Sequence, residues 1–188
     1  MRFRGRRQAF SCMIASMRQI IYSAAVSLDG YIARKDGSAD WIPMDPEVDF
    51  GAMFSRFDVI LMGRKTHEVT LAMGGANPFV GMESFVFSRT KPAGKRDGAE
   101  YITTRPVELV RELRKFPGKD LWLMGGGELA AEFLREDLVD GIQVAVCPVL
   151  LGAGIPMFGS GFPQRQFRFA SQRVYPKSGI VMIDYERL

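Results

Sequence analysis

Val59-Ile60-Leu61-Met62-Gly63-Arg64-Lys65-Thr66 is the stretch on which the reading of this chain turns. Four apolar residues make a buried strand, and Gly63 lets the backbone turn close to a ligand. The helix that follows begins with unpaired N–H groups that attract anions, and Arg64 and Lys65 add positive charge. Such a strand-to-helix turn suits a nucleotide phosphate. A second one lies further on, where Leu121-Trp122-Leu123-Met124 meets Gly125-Gly126-Gly127 and a helical run over 128–134. The triple glycine is not a GxGxxG fingerprint. Glycine carries an entropic cost, however, and close approach of a pyrophosphate is a reason for three of them at a helix start. Two cradles of this kind point to a dinucleotide.

The rest of the chain fits an α/β domain around those cradles. Residues 19–27 read as a first strand closed by the turn Asp29-Gly30, after which Tyr31-Ile32-Ala33 resumes an extended path. Residues 34–43 form a polar loop carrying Asp36-Gly37-Ser38 and Trp41, and Pro46 reads as the first turn of a short helix through Phe54. Beyond the helix that starts near Lys65 comes a glycine-rich break at Gly74-Gly75-Ala76-Asn77-Pro78. Strands over 84–87 and 101–103 follow, separated by a turn at Lys91-Pro92-Ala93-Gly94. Apolar Val107, Leu109, Val110 and Leu113 set among charges predict an amphipathic helix over 106–115. A strand over 141–146, a loop over 148–156 and two closing strands over 166–175 and 180–185 complete the chain. Alternating strands and helices imply a mostly parallel central sheet with helices on both faces, and the closing pair implies an antiparallel C-terminal edge. Ligands in such sheets bind at the carboxyl ends of the strands, where both cradles fall.

Composition narrows the function. The chain has 188 residues and is 47% hydrophobic, enough to bury one core without disulfides or structural metals. Its two cysteines, Cys12 and Cys147, fall in an N-terminal tail and a buried strand, which fits a reducing cytoplasm. The single histidine, His67, has no second histidine or cysteine pair with which to build a metal site, and reads as a helix-surface residue. Net charge is +4, but Arg2, Arg4, Arg6 and Arg7 all lie in residues 1–16; removing those four from 25 cations leaves 21 against 21 acids. The basicity therefore belongs to the tail, and nucleic acid is not an expected partner. Arg6-Arg7 is followed by a stretch too short and polar for a secretory core, and no stretch approaches the length of a membrane span. Residues 1–16 read as a disordered basic extension and 17–188 as the folded domain.

With both cradles, the Ser27-Leu28-Asp29-Gly30 turn and the Trp41 loop in this order, the chain resembles the dihydrofolate reductase superfamily. Within it, the reductase domain of bifunctional riboflavin-biosynthesis proteins (the RibD C-terminal domain) and its small single-domain relatives are more similar still. Ser27-Leu28-Asp29-Gly30-Tyr31-Ile32-Ala33, Asp36-Gly37-Ser38, Trp41-Ile42 and the late loop Pro148-Val149-Leu150-Leu151-Gly152-Ala153-Gly154 carry that likeness. Met62-Gly63-Arg64-Lys65-Thr66 is closer to dihydrofolate reductase itself. The resemblance implies a dihydrofolate reductase-like three-layer fold and NADPH as cofactor. It implies that Arg64, Lys65 and Thr66, after Gly63, hold the pyrophosphate and 2′-phosphate. By the same likeness Ser88 and Arg89 lie beside the adenosine phosphate, Gly125, Gly126 and Gly127 face the pyrophosphate, and the Ala25 backbone bonds the nicotinamide carboxamide.

Two departures bear on the substrate. Tyr31 stands where the riboflavin reductases carry a lysine, and Met124 where they place a glutamate before the glycines. Dihydrofolate reductase uses a pocket carboxylate on its first helix, for which Glu47 and Asp49 are the candidates beside Trp41. The expected activity is hydride transfer from NADPH to a small heterocyclic or carbonyl substrate, with the Trp41 loop shielding the site from water. The alternatives are a 5-amino-6-(5-phosphoribosylamino)uracil reductase in riboflavin biosynthesis and a non-catalytic NADPH-binding domain. The late loop, with Ile155, Met157 and Phe158, could cover its own core or pack in a symmetric homodimer.

Overall fold

A computed structural model describes residues 17–72 and 79–188. The expected basic extension over 1–16 and the glycine-rich break over 74–78 lie outside the described residues. In chain order the first elements are β1 (Ile20–Ser27), β2 (Tyr31–Ala33), α1 (Phe50–Phe54), β3 (Phe57–Gly63), α2 (Arg64–Ala72), β4 (Glu83–Phe87), β5 (Gly94–Arg96) and β6 (Ala99–Ile102). Then follow α3 (Pro106–Leu113), β7 (Asp120–Gly125), α4 (Gly127–Arg135), β8 (Gly141–Cys147), β9 (Ile155–Pro156), β10 (Phe167–Tyr175) and β11 (Ile180–Arg187). A nine-stranded sheet has the order β10-β11-β8-β1-β7-β3-β4-β6-β5. Its centre, from β8 to β6, is parallel; β11 and β10 close one edge antiparallel, and β5 closes the other.

Strand periodicity divides the core into two faces. Ile20, Tyr22, Val59, Leu61, Leu121 and Leu123 point to one face and pack with Val110 of α3 and Ala130, Phe133 and Leu134 of α4. Ile21, Ile60, Met62, Val86 and Trp122 point to the other, beneath Phe54 of α1 and Phe79. Trp122 stacks on Phe54 with ring centroids 5.0 Å apart and takes Phe79 edge-on at 5.4 Å. Further along the second face, Trp41, Cys147, Tyr175 and Ile180 form a separate buried group against Ala25, Ala145 and Met182. Both faces of the central strands are thus covered, which is why their sequences are nearly continuous apolar runs.

The amino ends of the strands are closed by charge. Arg18, buried, pairs with Asp58 and donates Nε to the Lys119 carbonyl at 2.7 Å. Arg114 pairs with Asp140, whose carboxylate also accepts the Ile20 amide at 2.8 Å. The opposite, carboxyl end carries the glycine turns.

Three local expectations are corrected. The first helix begins at Phe50 rather than Pro46, because Asp45 gathers the Glu47 amide into a turn at 2.9 Å and Asp49 is the helix cap, accepting the Ala52 amide at 2.8 Å. The loop over 148–156 contains β9, which pairs with β2 through Tyr31↔Pro156 and Ala33↔Ile155. The turn before β6 is a short hairpin whose bend is Asp97-Gly98, with φ of 50° and 75°.

Gly127 is a packing glycine. A Cβ there would lie 2.4 Å from the Pro156 carbonyl oxygen and 3.1 Å from that of Met157, both backbone atoms. Gly127→Ala is expected to cost about 1–3 kcal/mol through forced separation of α4 from this loop, read from guanidinium unfolding midpoints at constant m-value.

Candidate dinucleotide and substrate site

The two cradles are neighbours in space because β3 and β7 are neighbours in the sheet. Met62 stands opposite Gly125, so both strands release their chains at the same level. A Cβ on Gly63 would lie 3.8 Å from the Gly125 carbonyl oxygen, and one on Gly126 would lie 3.7 Å from Thr66 Oγ1 and 3.8 Å from Ile32 Cδ1. Gly63, Thr66, Gly125 and Gly126 therefore form one surface. Gly125 and Gly126 are joined by a cis peptide bond, and Gly125 has φ of 104°, a conformation that excludes other residues. Gly126 is the N-cap of α4 and makes no side-chain hydrogen bond to the helix amides.

The cations differ in how they are held. Arg64 is half-buried and clamped by Glu68 one helical turn on, its Nη1 lying 2.6 and 2.7 Å from the two carboxylate oxygens. Lys65 and Arg89 are exposed. Ser88 is buried, and its Oγ accepts the Thr90 and Lys91 amides at 3.2 and 2.9 Å, so it shapes the turn that carries Arg89. Of the three glycines expected to face a pyrophosphate, Gly125 and Gly126 belong to the shared surface, whereas Gly127 turns toward residues 156–159.

Ala25 lies near the carboxyl end of β1, with Trp41 packed in the same buried group. Trp41 is 9% exposed, and its indole Nε1 has no hydrogen-bond partner among the described residues. Glu47 and Asp49 are not buried beside it. Glu47 is exposed and ion-paired with Lys177 at 2.8 Å, and exposed Asp49 is occupied as the cap of α1. The buried acid of this loop is Asp45, which accepts the Ser178 amide at 3.1 Å and ties the loop to the turn between β10 and β11. His67 is buried rather than on the helix surface; its Nδ1 lies 3.0 Å from the Tyr101 hydroxyl, fixing α2 over β6. Its immediate neighbours, Thr66 and Glu68, are polar, so nothing next to it in the sequence marks it as inward-facing.

The late loop covers its own core. Met157 is buried, its carbonyl accepts the Tyr22 hydroxyl at 2.6 Å, and Phe158 stands edge-on to Tyr22 at 5.4 Å. Its upstream half is pinned by Asp29, which accepts the Ser27 hydroxyl at 2.6 Å, the Gly152 amide at 2.7 Å and the Leu151 amide at 3.1 Å. Among the described residues no group of three metal-ligating side chains could hold a metal ion, and no helix is long and apolar enough to cross a membrane.

The sheet is a mostly parallel α/β sheet with glycine turns at the carboxyl ends of the neighbouring strands β3 and β7. Residues 18–181 match the RibD C-terminal domain, and the chain belongs to that family. It is 35% identical over 179 residues to the Bacillus subtilis protein YyaP, covering 89% of this chain and 94% of that one. It is 30% identical over 148 residues to the riboflavin biosynthesis protein RibD of Mycobacterium tuberculosis, covering 72% of this chain but only 44% of RibD. Among solved structures, a Shewanella sp. PV-4 protein described as a riboflavin biosynthesis protein superposes with a TM-score of 0.79 at 32% identity, covering 90% of this chain and 99% of the other. The Thermotoga maritima diaminohydroxyphosphoribosylaminopyrimidine deaminase/5-amino-6-(5-phosphoribosylamino)uracil reductase shares the fold, with a TM-score of 0.67 at 17% identity over 92% of this chain and 57% of that one.

The Ser27 hydroxyl, followed by the Leu151 and Gly152 amides, holds the Asp29 carboxyl below its ordinary pKa. The stabilisation is therefore present above the unfolded-state pKa of about 4 and lost as pH falls through the lower folded value. Asp29→Asn is expected to lower stability at pH 7 and to lose less on acidification to pH 3 than the parent, as measured by urea unfolding at both pH values.

Proposed function

We propose that this protein is an NADPH-dependent reductase that passes hydride to a small planar heterocycle or carbonyl compound. The single observation that carries the reading is the meeting of two strand-to-helix turns, with Thr66 Oγ1 3.7 Å from the position a Gly126 Cβ would take. One pyrophosphate spanning both turns would use the amides at the start of α2 and α4, the Thr66 hydroxyl and the Arg64 guanidinium. Lys65 and Arg89 are the exposed cations for a 2′-phosphate, which is the basis for NADPH over NADH. The cofactor supplies the hydride. Ala25 would orient the nicotinamide through its backbone, and the Trp41 loop would keep water from the reacting face. Trp41 Nε1, buried without a partner among the described residues, would donate to a polar atom of the substrate. Proton supply by Glu47 or Asp49 would require either to leave its ion pair or its cap. We place this activity in the cytoplasm, in the domain spanning 17–188, with residues 1–16 as a basic extension.

The relatives' names favour a second reading, reduction of 5-amino-6-(5-phosphoribosylamino)uracil. Against it, Tyr31 and Met124 replace the polar groups that would meet a phosphoribosyl-aminopyrimidine. Rescue of a riboflavin auxotroph lacking its reductase would establish the second reading; no rescue, with NADPH bound, would leave the first.

Titration with NADPH and NADH, followed by tryptophan fluorescence, tests the main reading. NADPH is expected to bind at micromolar levels and more tightly than NADH, and absence of binding by both would remove the proposal. Arg64→Ala should weaken NADPH about tenfold. Glu68→Gln, which releases Arg64 from its clamp, should tighten it severalfold.

A further inference from the structure

A row of polar side chains crosses the second face of the sheet between its two apolar groups, and the reading above leaves it unused. Ser23, Gln143, Asp184 and Ser171 stand directly opposite one another on β1, β8, β11 and β10. They are hydrogen-bonded in that order. Ser23 Oγ donates to Gln143 Oε1 at 3.0 Å, Gln143 Nε2 donates to Asp184 Oδ1 at 2.8 Å, and Ser171 Oγ donates to Asp184 Oδ2 at 2.8 Å. Gln143 is 8% exposed, so its amide has little recourse to water.

The direction of these bonds follows from the chemistry of the end group. An ionised carboxylate only accepts, so Asp184 draws the Gln143 NH2 toward β11. The amide oxygen is then forced toward β1, where it consumes the one hydroxyl hydrogen of Ser23. Ser23 Oγ is left with lone pairs alone. Its backbone is fixed as well, because Trp122 Nε1 donates to the Ser23 carbonyl at 3.2 Å.

Ser23 also lies at a boundary. Ile21, two residues before it, belongs to the buried group around Trp122, and Ala25, two residues after it, packs with the group around Trp41. Period-two alternation puts all three on one face. Ser23 is only partly buried and is the polar position between the two aromatic groups, next to the residue proposed to orient the nicotinamide.

We propose that Asp184, acting through Gln143, makes Ser23 Oγ an obligate hydrogen-bond acceptor on the floor of the substrate cleft, selecting planar substrates that present an N–H or O–H donor to it. This rests on the reductase reading for the identity of the cleft. Ser23 is the specificity-determining contact, and Gln143 and Asp184 are positioning residues. A carbonyl or ether oxygen at that point of the substrate would face lone pairs and be rejected.

Two rings of equal size that differ only in the donor, 4-aminoquinazoline and 4-methylquinazoline, serve as probes by calorimetry at pH 8 with NADPH present. The amino compound is expected to bind about tenfold more tightly, the effect of one hydrogen bond. Ser23→Ala should bring the ratio to near one. Asp184→Ala, which lets the Gln143 amide turn, should reduce it severalfold while NADPH affinity stays within about twofold. A merely structural role would lower thermal stability and leave the ratio unchanged. Equal binding of the two rings by the parent protein, no binding of either, or an undiminished ratio in both variants would overturn the proposal. If NADPH does not bind, the reductase reading fails on that result, and the same ratio measured without NADPH still decides whether Ser23 selects donors.

Discussion

The parallel pairing of β3 with β7 is the constraint on which the site depends. Met62 opposite Gly125 brings two strand ends to one level, and from there the chain turns into α2 on one face of the sheet and α4 on the other. A shift of two residues in that register would separate Gly63 from Gly126 by roughly 7 Å along the strand. The register is held by burial: Val59 and Leu61 pack with Leu121 and Leu123 on one face, while Ile60 and Met62 pack with Trp122 on the other. A one-residue slip would send each set to the wrong face. The geometry of the proposed anion site is thus maintained by apolar side chains that lie within the strands rather than at the turns.

Around that pairing, the two ends of the sheet have different tasks. At the amino end, Arg18 with Asp58 and Arg114 with Asp140 satisfy one another and the backbone. At the carboxyl end, the glycine turns and the cations at 64, 65 and 89 are the groups that the proposed reading assigns to phosphate. Arg64 is intermediate: its bond to Glu68 holds the guanidinium in place, and under the proposed reading a phosphate would compete with that carboxylate. The late loop joins the two halves of the fold, since Asp29 binds its upstream portion and Tyr22 and Gly127 receive Met157 and its neighbours.

The fold was legible wherever local pattern and tertiary context agree. Apolar runs ending in glycine mark β3 and β7, and the antiparallel edge follows from the two closing strands. What sequence reading missed lies in short elements and in contacts distant along the chain. The two residues of β9 have no periodicity, and their partner at Tyr31 and Ala33 is fixed only by the folded loop. Gly94-Lys95-Arg96 has no apolar signal, although Asp97-Gly98 is a recognised hairpin bend that marks β5. The two glycine turns were legible because glycines follow the apolar strands directly. The carboxylates were not: Asp49 precedes a helix and caps it, as its type favours, and Glu47 reaches a lysine 130 positions away. The row from Ser23 to Ser171 was hidden because it uses one residue from each of four strands. Its sequence trace is a polar residue in the interior of each of two apolar runs, Ser23 in β1 and Gln143 in β8.

The central claim is that one dinucleotide bridges both turns. A crystal structure of the NADPH complex tests it most directly. The account predicts pyrophosphate oxygens within hydrogen-bond distance of backbone amides at the start of α2 and at the start of α4 in the same molecule. A cofactor bound at one turn alone, or away from both, would contradict it.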